Sequence, residues 1–235
     1  MTVRDLLVVL FMATLLLACP GSDDDDSASG PPIPDFVDVE VRLSDVVTTD
    51  LLVGAEVTYD DQLVETDVNG RARLTIPSQD PFTVGVAMGA YADHDLAGLG
   101  GVDDIQYPAR LIDRNTLGAW LVELNLAPDT SKGTLVVLLQ TIALQAAADA
   151  SVTIDAASDP PFVLVDGDPQ AGDELVFAAD SMVIFPNVDP GPVNLSISAP
   201  EGDSCLAFEA LVASGDLTTF DVTADVITIA PYICQ

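Results

Sequence analysis

The sequence has little of the chemistry that most catalytic and binding sites use. Its 235 residues include 7 lysines and arginines, one histidine, three cysteines and only 6% aromatic residues. With so few cations there is no basic patch to neutralise phosphates, so nucleic acid is excluded as a partner. A zinc site needs three or four ligands, and a single histidine leaves most of them unfilled. Since G-x-S-x-G and phosphate-binding glycine motifs are also missing, we expect no enzymatic activity and no cofactor.

The sequence is rich instead in acidic and aliphatic residues. It has 38 aspartates and glutamates and a formal net charge of -31, yet hydrophobic residues make up 49% of the chain. Such a charge alone would favour disorder, but this hydrophobic content is enough to bury the core of one or two compact domains. We therefore expect a folded protein with a strongly acidic surface.

The N-terminus carries an apolar run, Leu6–Ala18, broken only by Thr14. It is too short to span a bilayer, which takes about 20 residues, and suits the hydrophobic region of a signal peptide. The run ends in Leu16-Leu17-Ala18-Cys19, which resembles the lipobox of bacterial lipoproteins. The resemblance implies that residues 1–18 are a signal peptide and that Cys19 becomes the first mature residue and carries acyl chains. An ordinary cleavable signal with an incidental cysteine is the alternative.

Residues 19–34 are predicted to form a disordered acidic tether between the lipid and the folded protein. Four consecutive aspartates, Asp23–Asp26, repel one another, and the glycine, serine and proline around them cannot bury a core. Pro20 stands where lipoproteins of this type often carry the aspartate that retains them in the inner membrane. The resemblance therefore implies a lipid-anchored protein of the bacterial outer membrane, on its periplasmic or surface face.

Beyond the tether the hydrophobic residues alternate with polar ones. This period of two runs through Val37–Leu43, Phe82–Met88 and Val193–Ile197, and it predicts strands with one face on a core and one in water. Trp120 is predicted to be a core residue of a further strand. Ile142–Ala150 is short and rich in alanine, and the choice between helix and loop stays open there. The sequence thus predicts an all-β fold.

Two landmarks recur in the same order along the chain. Ala55–Asp60 and Ala150–Asp155 share A-x-V-T-x-D, while Ile76–Pro81 and Phe185–Pro190 share P-x-x-D-P. Two matches in one order predict an internal repeat. The second copy has extra residues between its landmarks, which predict a longer loop running through residues 158–169.

Further motifs resemble those of a known domain family. Val53–Val57, Thr66–Leu74 and Phe82–Val84 carry G-A-x-V, then T-D-x-x-G, then an alternating strand, and resemble the carboxypeptidase regulatory-like domain. In the first copy, Asn69-Gly70 also predicts a type I′ hairpin turn. Phe185–Leu195 is similar to the N-V-x-P-G turn of the same family. The resemblance implies transthyretin-like β-sandwiches of about seven strands each, with accessory or binding roles and no catalytic residues.

We accordingly predict two tandem transthyretin-like β-sandwiches, residues 35–128 and 133–235. The boundary falls at the polar stretch Pro128–Ser131. With Cys19 acylated, Cys205 and Cys234 remain as an even pair in an exported chain, and a disulfide between them is expected. Two free buried thiols are the alternative.

The only histidine lies in Asp93-His94-Asp95, which is predicted to be a solvated loop rather than a metal site. Calcium needs only oxygen ligands and stays open as a partner, although no acidic cluster has EF-hand spacing. The acidic clusters in predicted loops are Asp93/Asp95/Asp103/Asp104 and Asp166/Asp168/Asp173/Glu174.

These observations favour a lipid-anchored cell-envelope protein with a non-enzymatic structural or interaction role, whose partner is an unidentified envelope protein or glycan. The alternative is a ligand-binding module for carbohydrate or calcium that uses loops at one end of a sandwich. Tyr91 and Tyr107 are the candidate exposed aromatics for a sugar. A glycosidase that works with two carboxylates is the enzymatic alternative, but the sequence gives no sign of the aromatic-lined cleft that such an enzyme uses.

Overall fold

The protein is described by a computed structural model covering residues 33–176, 179–208 and 217–235. The predicted signal peptide, Cys19 and nearly all of the predicted tether lie outside the described residues. Residues Ile33–Gln235 form one compact unit. Within the described ranges, no helix has the length and apolar character needed to cross a membrane.

The described residues form sixteen strands and one short helix, so the prediction of an all-β fold built from β-sandwiches is confirmed. The elements are β1 Phe36–Asp45, β2 Glu56–Tyr59, β3 Gln62–Glu65, β4 Arg71–Pro77, β5 Pro81–Ala87, β6 Asp93–Leu99, β7 Ile105–Leu111, α1 Arg114–Glu123, β8 Gly133–Thr141, β9 Ser151–Ile154, β10 Phe162–Val165, β11 Asp168–Ala171, β12 Ala179–Val188, β13 Gly191–Ser198, β14 Cys205–Ala207, β15 Thr219–Val222 and β16 Val226–Cys234.

These strands make three sheets. A ten-stranded central sheet has the order β11-β10-β12-β8-β16-β6-β5-β2-β3, with β14 added on β16, and two three-stranded sheets have the orders β4-β1-β7 and β15-β13-β9. The central sheet contains strands of both halves of the chain because β6 pairs in parallel with β16, from Asp93 opposite Val226 to Leu96 opposite Ile229. The two halves are therefore joined by main-chain hydrogen bonds as well as by side-chain packing.

Two hydrophobic clusters hold the sheets together. In the first, Val39 and Leu74 of the β4-β1-β7 sheet belong with Val84 and Ile229 of the central sheet. In the second, Leu135 of the central sheet belongs with residues of β9 and β13. The middle of the central sheet is thus buried on both faces, and β8 is apolar almost without interruption, as expected for such strands.

The strand pairing of the first half recurs in the second. β1 lies between antiparallel β4 and parallel β7, and β8 lies between antiparallel β12 and parallel β16. β2 pairs with β5 and β5 with β6, as β9 pairs with β13 and β13 with β15. The segments Ala55–Asp60 and Ala150–Asp155 contain the equivalently paired strands β2 and β9, as the predicted repeat requires. The division at residues 128 and 133 and the assignment to the carboxypeptidase regulatory-like family stay predictions.

The T-D-x-x-G motif of the first half forms a compact turn. The buried Thr66 hydroxyl donates to Leu52 O at 2.7 Å and accepts from Ala55 N at 2.9 Å. The Asp67 carboxylate accepts from two main-chain amides of the turn. Gly70 has φ 68°, and a Cβ there would lie 2.7 Å from Leu43 O, so no side chain fits. The threonine, aspartate and glycine of the motif therefore stabilise this turn.

The predicted type I′ turn at Asn69-Gly70 is wrong. Positive φ is needed at both central residues of such a turn, and Asn69 does not have it. A type I′ candidate occurs instead at Asp166-Gly167, with φ 55° and 86°, where two residues join β10 to β11. The region 158–169, predicted as a longer loop, therefore contains a strand and the tight turn of a hairpin.

The helix α1 was also unexpected. Its N-cap is Asp113, whose carboxylate accepts from the main-chain amides of Asn115 and Thr116, the bonds that stabilise a helix start. Trp120 lies on this helix and not on a strand, although it is buried as predicted, with 7% exposed. The segment 142–150 is a loop rather than a helix.

The predicted disulfide is present. Cys205 and Cys234 are directly opposite each other in the β14–β16 pair, with Cα atoms 3.9 Å apart. The bond fastens the end of β16, the strand through which the two halves are joined. In the chain-entropy model a loop of this length contributes about 3–4 kcal/mol of stability.

Candidate functional site

The only histidine is a buried structural residue. His94 lies on β6 and is 1% exposed, so its prediction as part of a solvated loop is wrong. Its Nε2 accepts from Ile112 N at 3.0 Å, which leaves the proton on Nδ1 to be donated to Ala92 O at 2.8 Å. Burial lowers the pKa of His94 to about 4. The ring is therefore neutral near pH 7 and links β6 to the residue after β7.

Neither of the two candidate sugar-binding tyrosines is an exposed platform. Tyr107 is 2% exposed, and its hydroxyl donates to Ala97 O at 2.8 Å, so its prediction as an exposed aromatic is wrong. Tyr91 is half-buried and donates to Asp45 Oδ2 at 2.7 Å. Burial and the negative charge of Asp45 raise the pKa of Tyr91. Both hydroxyls therefore serve the fold.

The acidic clusters considered for calcium do not gather around a point. Asp93 and Asp95 lie on β6, and burial together with the neighbouring Asp93 raises the pKa of Asp95. Asp104 lies before β7 and accepts from Asp38 N at 3.2 Å. Across residues 33–176, 179–208 and 217–235, no group of three or more histidines, cysteines, aspartates or glutamates is placed to hold a metal ion. Calcium binding stays a prediction.

The arginines form the feature that the sequence did not indicate. Four of them lie on the exposed face of the β4-β1-β7 sheet, because each stands at a solvent-facing position of an alternating strand. They are Arg42 on β1, Arg71 and Arg73 on β4, and Arg110 on β7. In so acidic a chain, most of the positive charge is thus collected on one sheet face.

Two of these four arginines form ion pairs with carboxylates, and the other two do not. Arg71 is 3.4 Å from Glu40, and Arg73 is 3.5 Å from Asp38. Arg42 and Arg110 have no carboxylate within 4.0 Å in the described part of the chain. Arg42 is also directly opposite Arg71 in the β1–β4 register, and like charges in such a pair destabilise a sheet.

Arg42 and Arg110 line one cavity of about 270 Å³, called here the arginine cavity. Its polar lining includes Ser44 and the pair Gln140–Ser181, in which the amide nitrogen donates to the hydroxyl at 2.9 Å. Leu138, Met182 and Pro108 supply apolar walls, and no carboxylate of the described residues contributes. The cavity therefore offers two guanidinium groups, neutral hydrogen-bonding groups and apolar surface in one place.

A second cavity, of about 230 Å³, lies beside α1 and is lined by Arg114 and Lys132, the other lysine and arginine among the described residues. Here Arg114 is 2.9 Å from Asp225, and Lys132 forms an ion pair with Asp189. Both cations thus already have a carboxylate partner, and Asp129 and Asp225 line this cavity as well. An incoming anion would have to displace or approach these carboxylates, so the arginine cavity is the better candidate for a binding site.

Sequence reasoning missed this site because its residues come from distant segments. The exposed positions of Arg42 and Arg110 follow from the alternation of their strands, but the parallel β1–β7 pairing brings them together, with Ser44 opposite Arg110. Gln140 and Ser181 come from β8 and β12 of the second half. The available signal was the rarity of arginine itself, since each one in such a chain calls for an explanation.

No protein-family model matches the chain, and no curated protein is similar enough to count as a relative. Among solved structures, the Bacillus anthracis TIE protein has 14% identity and a TM-score of 0.26, with 84% of this chain and 34% of that protein covered. A streptococcal ancillary pilin has 13% identity and a TM-score of 0.25, with 86% and 63% covered. The shaft pilin SpaA of Lactobacillus rhamnosus GG has 8% identity and a TM-score of 0.24, with 86% and 98% covered.

The chain spans about a third of the length of the TIE protein and less than two thirds of the ancillary pilin. At these identities and TM-scores the likenesses carry no argument about function.

Proposed function

We propose that the protein is a lipid-anchored component of the bacterial cell envelope with a non-enzymatic structural or interaction role. It is held at the outer membrane through acyl chains on Cys19, and it binds another envelope protein or a glycan. The proposal begins from the lipobox-like Leu16-Leu17-Ala18-Cys19 at the end of an apolar run. That run suits a signal peptide by its length.

The observation that carries the structural part of this proposal is the shared central sheet. The pairing of β6 with β16 makes the two halves one body, which suits a protein that presents a surface at a fixed distance and orientation. The Cys205–Cys234 disulfide supports export, because such bonds form and persist outside the reducing cytosol. His94 has both ring nitrogens engaged with the main chain, so its part is structural as well.

The anchor is tested by the variant Cys19→Ala in the native host. We expect the variant to leave the membrane fraction, either as folded soluble protein or as uncleaved precursor, because the acceptor for the acyl chains is gone. Ser22→Ala, also in the tether, is the matched control and should stay with the membrane. Mass spectrometry of the wild-type N-terminal peptide should find it beginning at Cys19 with the added mass of acyl chains.

A different pair of results would contradict the proposal. One is a Cys19→Ala protein that is processed and remains membrane-bound after a salt wash. The other is a wild-type N-terminus elsewhere without lipid mass, which would indicate an ordinary secreted protein.

A ligand-binding role is the second candidate function, and the arginine cavity is the observation that favours it. This role is compatible with an envelope location and does not depend on the acyl chains. The calcium form of the same alternative has no comparable observation among the described acidic residues.

A further inference from the structure

We propose that the arginine cavity binds a small acidic sugar, with Arg42 and Arg110 holding its carboxylate. The inference gives a ligand class to the binding role considered above, and it does not rest on the lipid anchor. The ligand is a uronic acid or a glycan end that presents one.

The charges around the arginine cavity favour an anionic ligand. The chain has 38 acidic residues against 7 lysines and arginines, so an exposed arginine meets a carboxylate readily, as Arg71 and Arg73 do on the same sheet face. Arg42 and Arg110 do not. They stand on neighbouring strands two register positions apart, since Arg42 is opposite Pro108 and Arg110 is opposite Ser44. Both long side chains line the same cavity and can reach one oxyanion.

The geometry of the guanidinium group matches that of a carboxylate. Arginine presents a planar set of donors that binds a carboxylate through two parallel hydrogen bonds. Arg42 is opposite Arg71 in the β1–β4 register, and like charges in such a pair repel, so an anion bound to Arg42 would reduce this repulsion. A bound carboxylate therefore supplies the one type of group that the lining of the arginine cavity lacks.

The rest of the cavity is larger than an inorganic anion needs. Its volume of about 270 Å³ is near the lower end of small-ligand pockets, roughly 300 Å³, and suits a single sugar unit. Ser44 and the Gln140–Ser181 pair can exchange hydrogen bonds with sugar hydroxyls. The apolar walls, including Leu138 and Met182, can pack against the C–H faces of a sugar ring. This combination favours an acidic sugar over a bare phosphate.

The backbone at the rim of the cavity has an uncommon conformation at two residues. Thr49 and Leu144 both line the cavity and both have positive φ, at 62° and 58°. Such values are uncommon for residues other than glycine and are outliers for a β-branched residue such as threonine. Residues strained in this way occur preferentially at ligand-binding sites, where the surrounding structure holds them in place. Thr49 and Leu144, two residues of this kind, thus lie at the cavity that also contains the unpaired Arg42 and Arg110.

The test measures binding to the purified full-length protein by isothermal titration calorimetry, with galacturonate, glucose and inorganic phosphate as probes. We expect galacturonate to bind more tightly than the other two. Arg42→Gln and Arg110→Gln should each weaken galacturonate binding by about tenfold or more, since a hydrogen bond to a charged group is lost. Arg73→Gln, on the same face but paired with Asp38, is the matched control and should change the affinity by less than about twofold.

Thermal unfolding of each variant shows whether it is folded, and Arg110→Lys adds a graded change because it keeps the charge but loses the paired hydrogen bonds. Its affinity should fall between those of the wild type and Arg110→Gln. The proposal is overturned if galacturonate binds no better than glucose, if phosphate binds as well as galacturonate, or if Arg73→Gln weakens binding as much as the cavity variants. None of these results bears on the Cys19 experiment.

Discussion

The equivalent strands β7 and β16 show how the same local pairing ends in different surroundings. Each closes its half of the repeat by pairing in parallel with the first strand of that half. β7 lies at the edge of a three-stranded sheet and alternates buried and exposed residues, while β16 lies inside the central sheet and is buried along most of its length. The difference arises because β16 also pairs with β6.

Of these two strands, only β7 has an outer face that is open to solvent and available for binding. The outer face of β7 carries Arg110 into solvent and borders the arginine cavity. The corresponding face of β16 carries Ile227 and Ile229, which belong to the first hydrophobic cluster. One strand of the pair is therefore a candidate for recognition, whereas the other connects the two halves.

The largest expected effect comes from a substitution on the buried side of this comparison. Ile229→Ala should lower the free energy of unfolding by up to about 5 kcal/mol, because a core side chain that is 1% exposed is replaced by a cavity. Gln106→Ala on the exposed face of β7 is the matched control and should change it by less than about 0.5 kcal/mol. Urea denaturation measures both, and equal effects would contradict the assignment of the two faces.

The next largest effect concerns the disulfide that fastens β16. Replacing both Cys205 and Cys234 with serine should lower the free energy of unfolding by about 3–4 kcal/mol, because the unfolded chain loses a constraint. We expect a single cooperative transition, since β16 pairs with strands of both halves. Wild-type protein unfolded in reductant is the control. Two separate transitions, with the first half unaffected, would indicate that the halves fold independently.

The smallest of these effects is a dependence of stability on pH at the junction strand β6. The pKa of His94 is about 4 in the folded protein and 6.5 in a model compound, so the unfolded chain takes up a proton first as the pH falls. Stability is therefore fully present above about pH 6.5 and declines toward pH 4. We expect a loss of about 2 kcal/mol between pH 7 and pH 5.

Urea denaturation at several pH values measures this dependence, with His94→Gln as the comparison. The slope of stability against pH is the readout, because the absolute stability of the variant also reflects the loss of a buried contact. A variant with the same slope as the wild type would show that His94 is not the group responsible.

Several elements follow from the sequence because their signals are local. The alternation of Val37–Leu43 gives β1, and the same pattern gives β5 and β13. The helix α1 was missed because Trp120-Leu121-Val122 favours a strand by propensity, while the Asp113 cap and tertiary packing favour a helix. His94 was misplaced because two flanking aspartates suggested solvent, whereas alternation along β6 points His94 inward.

For the candidate site, the sequence provided the two cysteines of the disulfide but not the arginine cavity. Cys205 and Cys234 could be paired because an exported chain with two remaining cysteines leaves one choice. The proximity of Arg42, Arg110 and Gln140 could not be predicted. No local signal in the sequence relates β1 and β7 to the C-terminal end of β8.

By itself, the sequence determined the alternating strands, the internal repeat and the acidic character of the surface, because hydrophobic periodicity, repeated motifs and charge are properties of neighbouring residues. Only the tertiary structure decided that the two halves share a sheet and that Arg42 and Arg110 line one cavity. Strand order depends on contacts between segments far apart in the chain. The free energy of those contacts comes from burying both faces of the central sheet, and no single segment of the sequence contains it.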